Sequence, residues 1–326
     1  MAIFLLAGGS GLIGSELAEA LVKRGDQVII LTRGSRNQPA ATAGKEGSIR
    51  YAAWDPAAGR IDEESVAQAD YIVNLAGAGV ADKRWTAGRK REIRESRTGS
   101  ADMLVRALRD LPNRVRAVIS LSAIGWYGPD PAAGARHPFV ETDPAATDFL
   151  GRTCTDWEAH IRPVSELPGK RLVILRTGIV LTARGGALAE FRKPLRAGVA
   201  TILGTGSQVI SWIHVQDLVR MIRYAAEQES VEGVYNAVAP GPVSNRELVL
   251  ELARARKGRF FVPVYVPAWL LRLVLGEMSI EVLKSATVSC GRIREAGFTF
   301  LFPSIQSAIR QLESAPPETP AAGPHD

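Results

Sequence analysis

Short aliphatic runs alternate with stretches of helical period along the first half of the chain. The runs fall at Ile3–Ala7, Gln27–Thr32, Ser48–Ala53, Tyr71–Ala76, Ala117–Ser122 and Arg171–Arg176. Each is bounded by turn-forming residues and predicts a buried strand. Between them a helix is expected over Leu12–Arg24, a weak turn near Asp62–Ala67, and a long helix over Ala87–Asp110. In the last, Ala101, Leu104, Val105 and Leu108 recur at i, i+3, i+4 and i+7, which is one helix face. Strands spaced by helices give parallel βαβ units with right-handed crossovers. The expected fold is α/β, a Rossmann-type doubly wound parallel sheet.

After Gly178 the pattern loosens. A loop rich in glycine (Gly185, Gly186, Gly198, Gly204, Gly206) precedes a helical Val215–Ala226 and a short strand at Gly233–Ala237. Ser244 caps a further helix, with Glu247 three residues on completing a capping box. An amphipathic segment, Pro267–Leu275, and a helix beginning near Ser304 follow. There is no internal repeat. The expected organisation is a dinucleotide-binding domain over residues 1–180 and a smaller substrate lobe over 181–314, some of whose segments return to the sheet. The tail 315–326, APPETPAAGPHD, is expected to be disordered.

A length of 326 residues suits one large domain plus a lobe. With 46% apolar and 23% charged residues, a disordered chain, a collagen-like repeat and a coiled coil are excluded. The net charge is +6, and only 8 of the 40 basic residues are lysine. The bases are scattered singly, so no nucleic-acid partner is expected. Two cysteines, Cys154 and Cys290, make neither a disulfide framework nor a metal cluster, and His137, His160 and His325 form no metal spacing. The opening MAIFLLAGGSGLIG lacks a basic region and a cleavage site. The most apolar stretch, Val262–Gly276, is short for a membrane span and contains Arg272. No membrane partner is expected, and the location is read as cytoplasmic. Oligomeric state is left open.

The strongest chemical signal is Ala7-Gly8-Gly9-Ser10-Gly11-Leu12-Ile13-Gly14, directly after the first strand and opening the first helix. Gly8 permits the tight turn, Gly11 lets the backbone approach a pyrophosphate, and Gly14 allows close helix–strand packing. Ser10, Leu12 and Ile13 complete the loop, and the helix N-terminus adds partial positive charge. A loop of small residues is the structural alternative. At the end of the second strand an NAD site wants an acid for the ribose 2′-hydroxyl. Here Thr32-Arg33 stand there, and no carboxylate appears until Glu46. An arginine suits a 2′-phosphate, which favours NADP(H) over NAD(H); a solvated loop arginine is the alternative.

These residues bring the chain close to a known family. The glycine triplet, Asn74-Leu75-Ala76-Gly77 and Tyr127-Gly128 resemble an extended short-chain dehydrogenase/reductase. More narrowly, the chain resembles the atypical epimerase family proteins, which are NAD-dependent epimerase/dehydratase-like with a C-terminal domain of unknown function. The shared pieces are Arg84-Trp85, Ser96-Arg97, Ser122-Ala123-x-Gly125-x-Tyr127-Gly128, Trp157-Glu158 and Arg176-Thr177-Gly178-Ile179-Val180-Leu181. Further on come Ser211-Trp212-Ile213-His214, Asn236-Ala237-x-Ala239-Pro240, Leu275-Gly276-Glu277-Met278 and Ala296-Gly297-Phe298-x-Phe300. The likeness runs from residue 2 to about 312, and only Ser285–Cys290 departs from the usual run. It implies that Thr32 and Arg33 hold the adenosine phosphate end of NADP(H). It also implies contacts from Leu75, Ala76 and Gly77, and from Glu92, Arg97 and Val180. An ion pair on a solvated helix face is the alternative for Arg97, and an ordinary helix carboxylate for Glu92.

Ordinary members of that superfamily use a tyrosine and a lysine four residues later, the ammonium lowering the phenol's pKa. None of the six tyrosines here has a lysine at that spacing. Aligned on Glu158, Leu150 takes the tyrosine position and Cys154 the lysine position, while Ala123 takes that of the catalytic Ser/Thr. Ser122 and Tyr127 are the remaining weak catalytic candidates, each with a structural alternative as a strand-end serine or a turn. His214 could act as an acid or base near neutrality; the preferred reading is that His214 and Asp217 hydrogen-bond to tie the two lobes together. Cys154 reads as a small buried thiol on a helix. The sequence therefore supports an NADP(H)-binding oxidoreductase or epimerase-like protein acting on a small molecule. The competing class is a non-catalytic NADP(H) sensor.

Overall fold

The structure is a computed structural model and describes residues 1–33, 47–131 and 137–314. The expected disordered tail lies outside the described residues. Strand β1 (Ile3–Ala7) leads through the glycine loop into α1 (Leu12–Lys23), followed by β2 (Gln27–Thr32), β3 (Ser48–Asp55), β4 (Arg60–Ile61) and α2 (Glu63–Gln68). Then come β5 (Tyr71–Asn74), α3 (Ala87–Asp110), β6 (Ala117–Ala123), α4 (Phe149–Ile161) and β7 (Arg171–Thr177). The second half holds β8 (Ile179–Leu181), α5 (Gly186–Leu195), β9 (Val199–Leu203), β10 (Val209–Ile210), β11 (Trp212–His214), α6 (Val215–Glu227) and β12 (Gly233–Ala237). It ends with β13 (Val243–Ser244), α7 (Asn245–Lys257), β14 (Val262–Val266), α8 (Ala268–Leu275), α9 (Ser279–Leu283), α10 (Gly291–Glu295) and α11 (Ile305–Ser314).

Eight strands form one sheet in the order β12-β7-β6-β5-β1-β2-β3-β4. All neighbours run parallel except the two-residue β4, which is antiparallel to β3. The winding goes outward from β1 through β2 and β3, then returns to β5 and proceeds the other way. The crevice at that reversal, beyond the strands' carboxyl ends, is where such sheets take ligands. The two-residue alternation of a strand sorts its side chains between two cores. Phe4, Leu6, Val28, Ile30 and Val73 join Leu17 and Leu21 of α1 and Leu218 and Ile222 of α6 on one face. Leu5, Ala7, Ile29, Leu31 and Ile72 join Ala101, Leu104 and Leu108 of α3 on the other. Each fully buried leucine or isoleucine contributes about 1.5–3 kcal/mol. A third core, with Leu188, Leu195, Ile202, Leu252 and Ile309, sits in the second half.

The departures from expectation have local causes. Strand β5 stops at Asn74 rather than Ala76, because the Asn74 carboxamide accepts a hydrogen bond from the Ala76 N–H at 3.3 Å and turns the chain. The weak turn at Asp62–Ala67 is a capped helix, with Asp62 accepting from the Ser65 N–H at 2.8 Å. Within the glycine-rich stretch lie α5 and β9, which the glycines punctuate rather than dissolve, and β8 comes just before it. Strand β12 joins the main sheet beside β7, so the second half of the chain does contribute to the first half's core.

Candidate cofactor site

The three glycines of the first loop do different work. Gly8 has φ +82°, and a Cβ on it would lie 2.8 Å from the Leu75 carbonyl and 2.9 Å from the Ala76 N. Its bareness lets the loops after β1 and β5 touch. At Gly14 a Cβ would lie 2.4 Å from the Gly8 oxygen and 2.6 Å from the Gly9 Cα, so only glycine lets α1 start this close to the loop. Gly11 differs: a Cβ there would meet only the Gly8 oxygen, at 3.3 Å. The space in front of Gly11 is otherwise open. Its N–H is tied to the Gly8 carbonyl at 3.1 Å, and it caps α1 without a side chain. The first turn of α1 carries no acid. The first-turn N–H groups and the helix dipole thus face a cradle suited to an anion, with Ser10 exposed and Leu12 and Ile13 half-buried beside it.

The other sequence-selected residues gather around this cradle. Thr32 and the exposed Arg33 end β2, next to β1 in the sheet. Leu75 donates its N–H to the Ala7 carbonyl at 2.8 Å. Gly77 leaves room for the Arg97 guanidinium, whose Cζ would be 3.0 Å from a Cβ at that position. Arg97 donates from Nη1 to the Ala78 carbonyl at 3.1 Å and the Ile93 carbonyl at 2.8 Å, and lies 4.9 Å above the Trp157 ring. Among the described residues it has no carboxylate partner, and burial lowers its pKa. Glu92 is exposed and paired with Arg89 at 2.7 Å. Hydrogen bonding from Arg89, with added positive charge from Lys83 and Arg33, holds its carboxyl below the usual range. Val180 lies in β8 opposite Ile213 of β11. The adjoining turn at Gly185 and Gly186 packs on the Leu12 side chain, at the N-terminus of α1.

One fastening escaped the sequence reading. Arg184, next to that turn, grips Glu19 of α1 through two hydrogen bonds of 2.7 and 2.9 Å and approaches Glu16 at 3.4 Å. It ties the second half of the chain to the helix that opens the cradle. The spacing of Glu16 and Glu19 on α1 was the available signal, but nothing local points to a partner more than 160 residues away.

Ser122 and Tyr127 both fall in a buried polar network. Arg176 donates from Nε to Glu158 Oε1 at 2.8 Å and from Nη2 to Oε2 at 3.0 Å. Its Nη1 reaches the Tyr127 hydroxyl at 3.1 Å and the Glu141 carbonyl at 3.0 Å. Ser122 donates to Glu158 Oε1 at 2.8 Å, and Tyr127 donates to Asn236 Oδ1 at 2.7 Å. Glu158 and Arg176 are 1% and 2% exposed. Burial raises the Tyr127 pKa although Arg176 opposes it, the reverse of an activated phenol. The clue in the sequence was Arg176 itself, since a base inside an apolar strand requires a buried acid.

Leu150 and Cys154 of α4 do come together beside Ala123. A Cβ on Gly125 would lie 3.1 Å from Leu150 Cβ and 3.7 Å from Cys154 Sγ, and that sulfur is 3.6 Å from the Ala123 carbonyl. Burial and the nearby Glu158 push the Cys154 thiol up to about 12, so it stays protonated. His214 and Asp217 both serve as hydrogen-bonded ties, each through its own partners rather than to each other. His214 Nδ1 accepts the Gln216 N–H at 3.1 Å and its Nε2 meets Gln311 Oε1 at 2.9 Å. Asp217 accepts the N–H groups of Leu301 and Phe302 at 2.8 and 2.9 Å. Both tie α6 to the end of the chain, through separate partners. A buried, hydrogen-bonded imidazole whose pKa is lowered by desolvation is poorly placed to exchange protons.

A parallel sheet wound outward from β1, with a glycine-lined anion cradle at its reversal point, defines a Rossmann-type nucleotide-cofactor-binding protein. The family model described as NAD dependent epimerase/dehydratase family matches residues 4–237, and a domain of unknown function, DUF1731, matches 266–312. The chain belongs to the NAD dependent epimerase/dehydratase family. It is similar to "Epimerase family protein Mb2239" of Mycobacterium bovis, 33% identical over 97% of this chain and 99% of that protein. A Staphylococcus aureus protein, "Epimerase family protein SAOUHSC_00792", is 32% identical over 95% of this chain and 98% of its own length. Among solved structures, the human epimerase family protein SDR39U1 (isoform2) with NADPH superposes with a TM-score of 0.81 at 29% identity, covering 95% of this chain and 99% of that one. Among the described residues, no helix is long and apolar enough to cross a membrane.

Proposed function

We propose that the chain is an NADP(H)-dependent reductase of a small molecule. The observation that carries this reading is the basic end of β2, Thr32-Arg33, beside an open Gly11 cradle with no acid in the first turn of α1. The human relative solved with NADPH supports it. Under this reading the α1 N-terminus receives the pyrophosphate, and Arg33 the 2′-phosphate by charge-assisted bonds. Glu92 steadies Arg33 from the side, and Arg97 faces the loop after β5 as a positive charge with no acidic partner among the described residues. When bound, the cofactor supplies hydride chemistry. The chain's own part is to bind, orient and exclude water, with residues 181–314 covering the substrate.

The residues nearest the usual acid–base position supply no proton at neutral pH. Leu150 and Ala123 have none to give, and the Cys154 thiol is held by its burial. We assign Ser122 and Tyr127 to the frame rather than to the chemistry, because their hydroxyls are committed to Glu158 and Asn236. The proton then comes from water or from the substrate. The same lack of an acid–base group favours a second reading, a cofactor-binding sensor without turnover. A panel of aldehydes, ketones and quinones, followed by NADPH oxidation, separates the two. Turnover on any of them supports the reductase, and tight binding with no turnover leaves the sensor.

A further inference from the structure

The second half of the chain carries an apolar surface that the cofactor site does not use. Strand β14 pairs with β9 in a two-stranded parallel sheet, Val262 opposite Val199 and Val264 opposite Thr201. Strand side chains alternate between faces. Ala200 and Ile202 of β9 are fully buried in the core, so Val199, Thr201, Val262 and Val264 stand on the outer face. Val262 is 64% exposed, and Phe260, two residues earlier, is 87% exposed. The following helix α8 exposes Trp269, Leu273 and Val274 as well. Single exposed apolar residues are ordinary, but so many within one strand-and-helix segment mark an interaction surface.

Two basic helix ends meet beside Phe260. Helix α5 ends in Arg192 and Lys193, with Arg196 as its C-cap, and packs on α7. Helix α7 ends in Arg254, Arg256 and Lys257, and Arg259 follows. The Lys257 Nζ donates to the Arg196 carbonyl at 3.3 Å, and the Val262 N–H to the Gly198 carbonyl at 2.9 Å, which brings both ends to the start of β14. The acids here are outnumbered: Glu313 serves both Arg192 and Arg256, while Glu190 and Glu251 serve one base each. Arg196, Lys257 and Arg259 have no carboxylate partner among the described residues.

We propose that this face docks on an anionic lipid surface as a peripheral contact. Phe260, Val262 and Trp269 enter the headgroup boundary, and the bases around Phe260 meet the lipid charge. Charge complementarity selects this occupant. A two-fold contact between copies would set one basic collar against another. Pro263 also lacks the N–H that strand addition at the β14 edge would use. The expectation of no membrane partner rested on scattered bases and the lack of a span. Folding gathers those bases, and a peripheral contact needs no span.

The test uses the full chain in co-sedimentation with vesicles of phosphatidylcholine alone or with about one-third phosphatidylglycerol. Binding is expected to the anionic vesicles only, and to fall at least tenfold when salt is raised from ~50 mM to ~500 mM. The pair Phe260→Glu with Trp269→Glu, and separately Arg196→Glu with Arg259→Glu, should each lose binding at least tenfold. Circular dichroism and NADPH affinity, read in parallel, should be unchanged and so exclude misfolding. Absent binding, equal binding to neutral vesicles, or binding indifferent to both pairs would overturn the proposal. So would a dimer in sedimentation velocity that Phe260→Glu dissolves while vesicles are ignored, which would assign the face to a second copy.

Discussion

At the scale of single residues, the glycines of the first loop separate binding from folding. Gly11 has φ −78° and an open front, so a valine there fits the backbone and fills only the space a phosphate would use. Gly11→Val should fold, by circular dichroism and melting, yet lose NADPH binding. Gly14→Val should fail to fold, because its Cβ would collide with the Gly8 carbonyl at 2.4 Å. The buried network makes a different prediction. Removing the charge with Glu158→Gln leaves Arg176 buried and unpaired, a loss of about 3–5 kcal/mol in denaturant unfolding. Tyr127→Phe strips one donor from Asn236 and should cost about 1–3 kcal/mol. If Tyr127→Phe instead left stability untouched and abolished turnover, the frame assignment would fail.

At the scale of elements, the end of the chain is fastened to α6 by a titratable group. His214 accepts the Gln216 N–H at Nδ1, which fixes the proton on Nε2 toward Gln311, so a second proton would break the helix cap. Burial lowers its pKa in the folded state. The unfolded chain therefore binds more protons than the folded one below the ordinary histidine value of about 6.5. The histidine's contribution is complete above that pH and is lost as pH falls toward the lowered value. His214→Gln should flatten the fall in stability as pH drops below about 6.5 relative to wild type; parallel curves would show that His214 does not drive it.

The same scale shows what the sequence could carry. Strands β1, β2 and β6 and helices α1 and α3 stand out because each satisfies its own period with local residues. Helix α4 does not, since Thr153 and Glu158 occupy its buried face, and Glu158 meets its partners on the distant strands β6 and β7. Likewise α5 and β9 hide among glycines that serve turns, and Arg184 reaches back to α1. The glycine loop's geometry was legible because it is built from one contiguous segment. The Arg176–Glu158 network was not, because its members come from β6, β7, α4 and β12.

At the scale of the whole molecule, charge that looks dispersed in sequence is gathered by the fold around Glu92, where Arg33 of the β2 end joins Arg89 and Lys83, and at the joined ends of α5 and α7. Ligand linkage gives the first a stability signature. NADPH at about a hundred times its Kd should stabilise the fold by about 2.7 kcal/mol, raising Tm, and Gly11→Val should abolish the rise. The sharpest test of the account is calorimetric titration of wild type and Arg33→Ala with NADPH and NADH. Wild type should bind NADPH at least about tenfold more tightly, roughly 1.4 kcal/mol, and Arg33→Ala should erase most of that difference. Equal affinities for the two cofactors in wild type would contradict it.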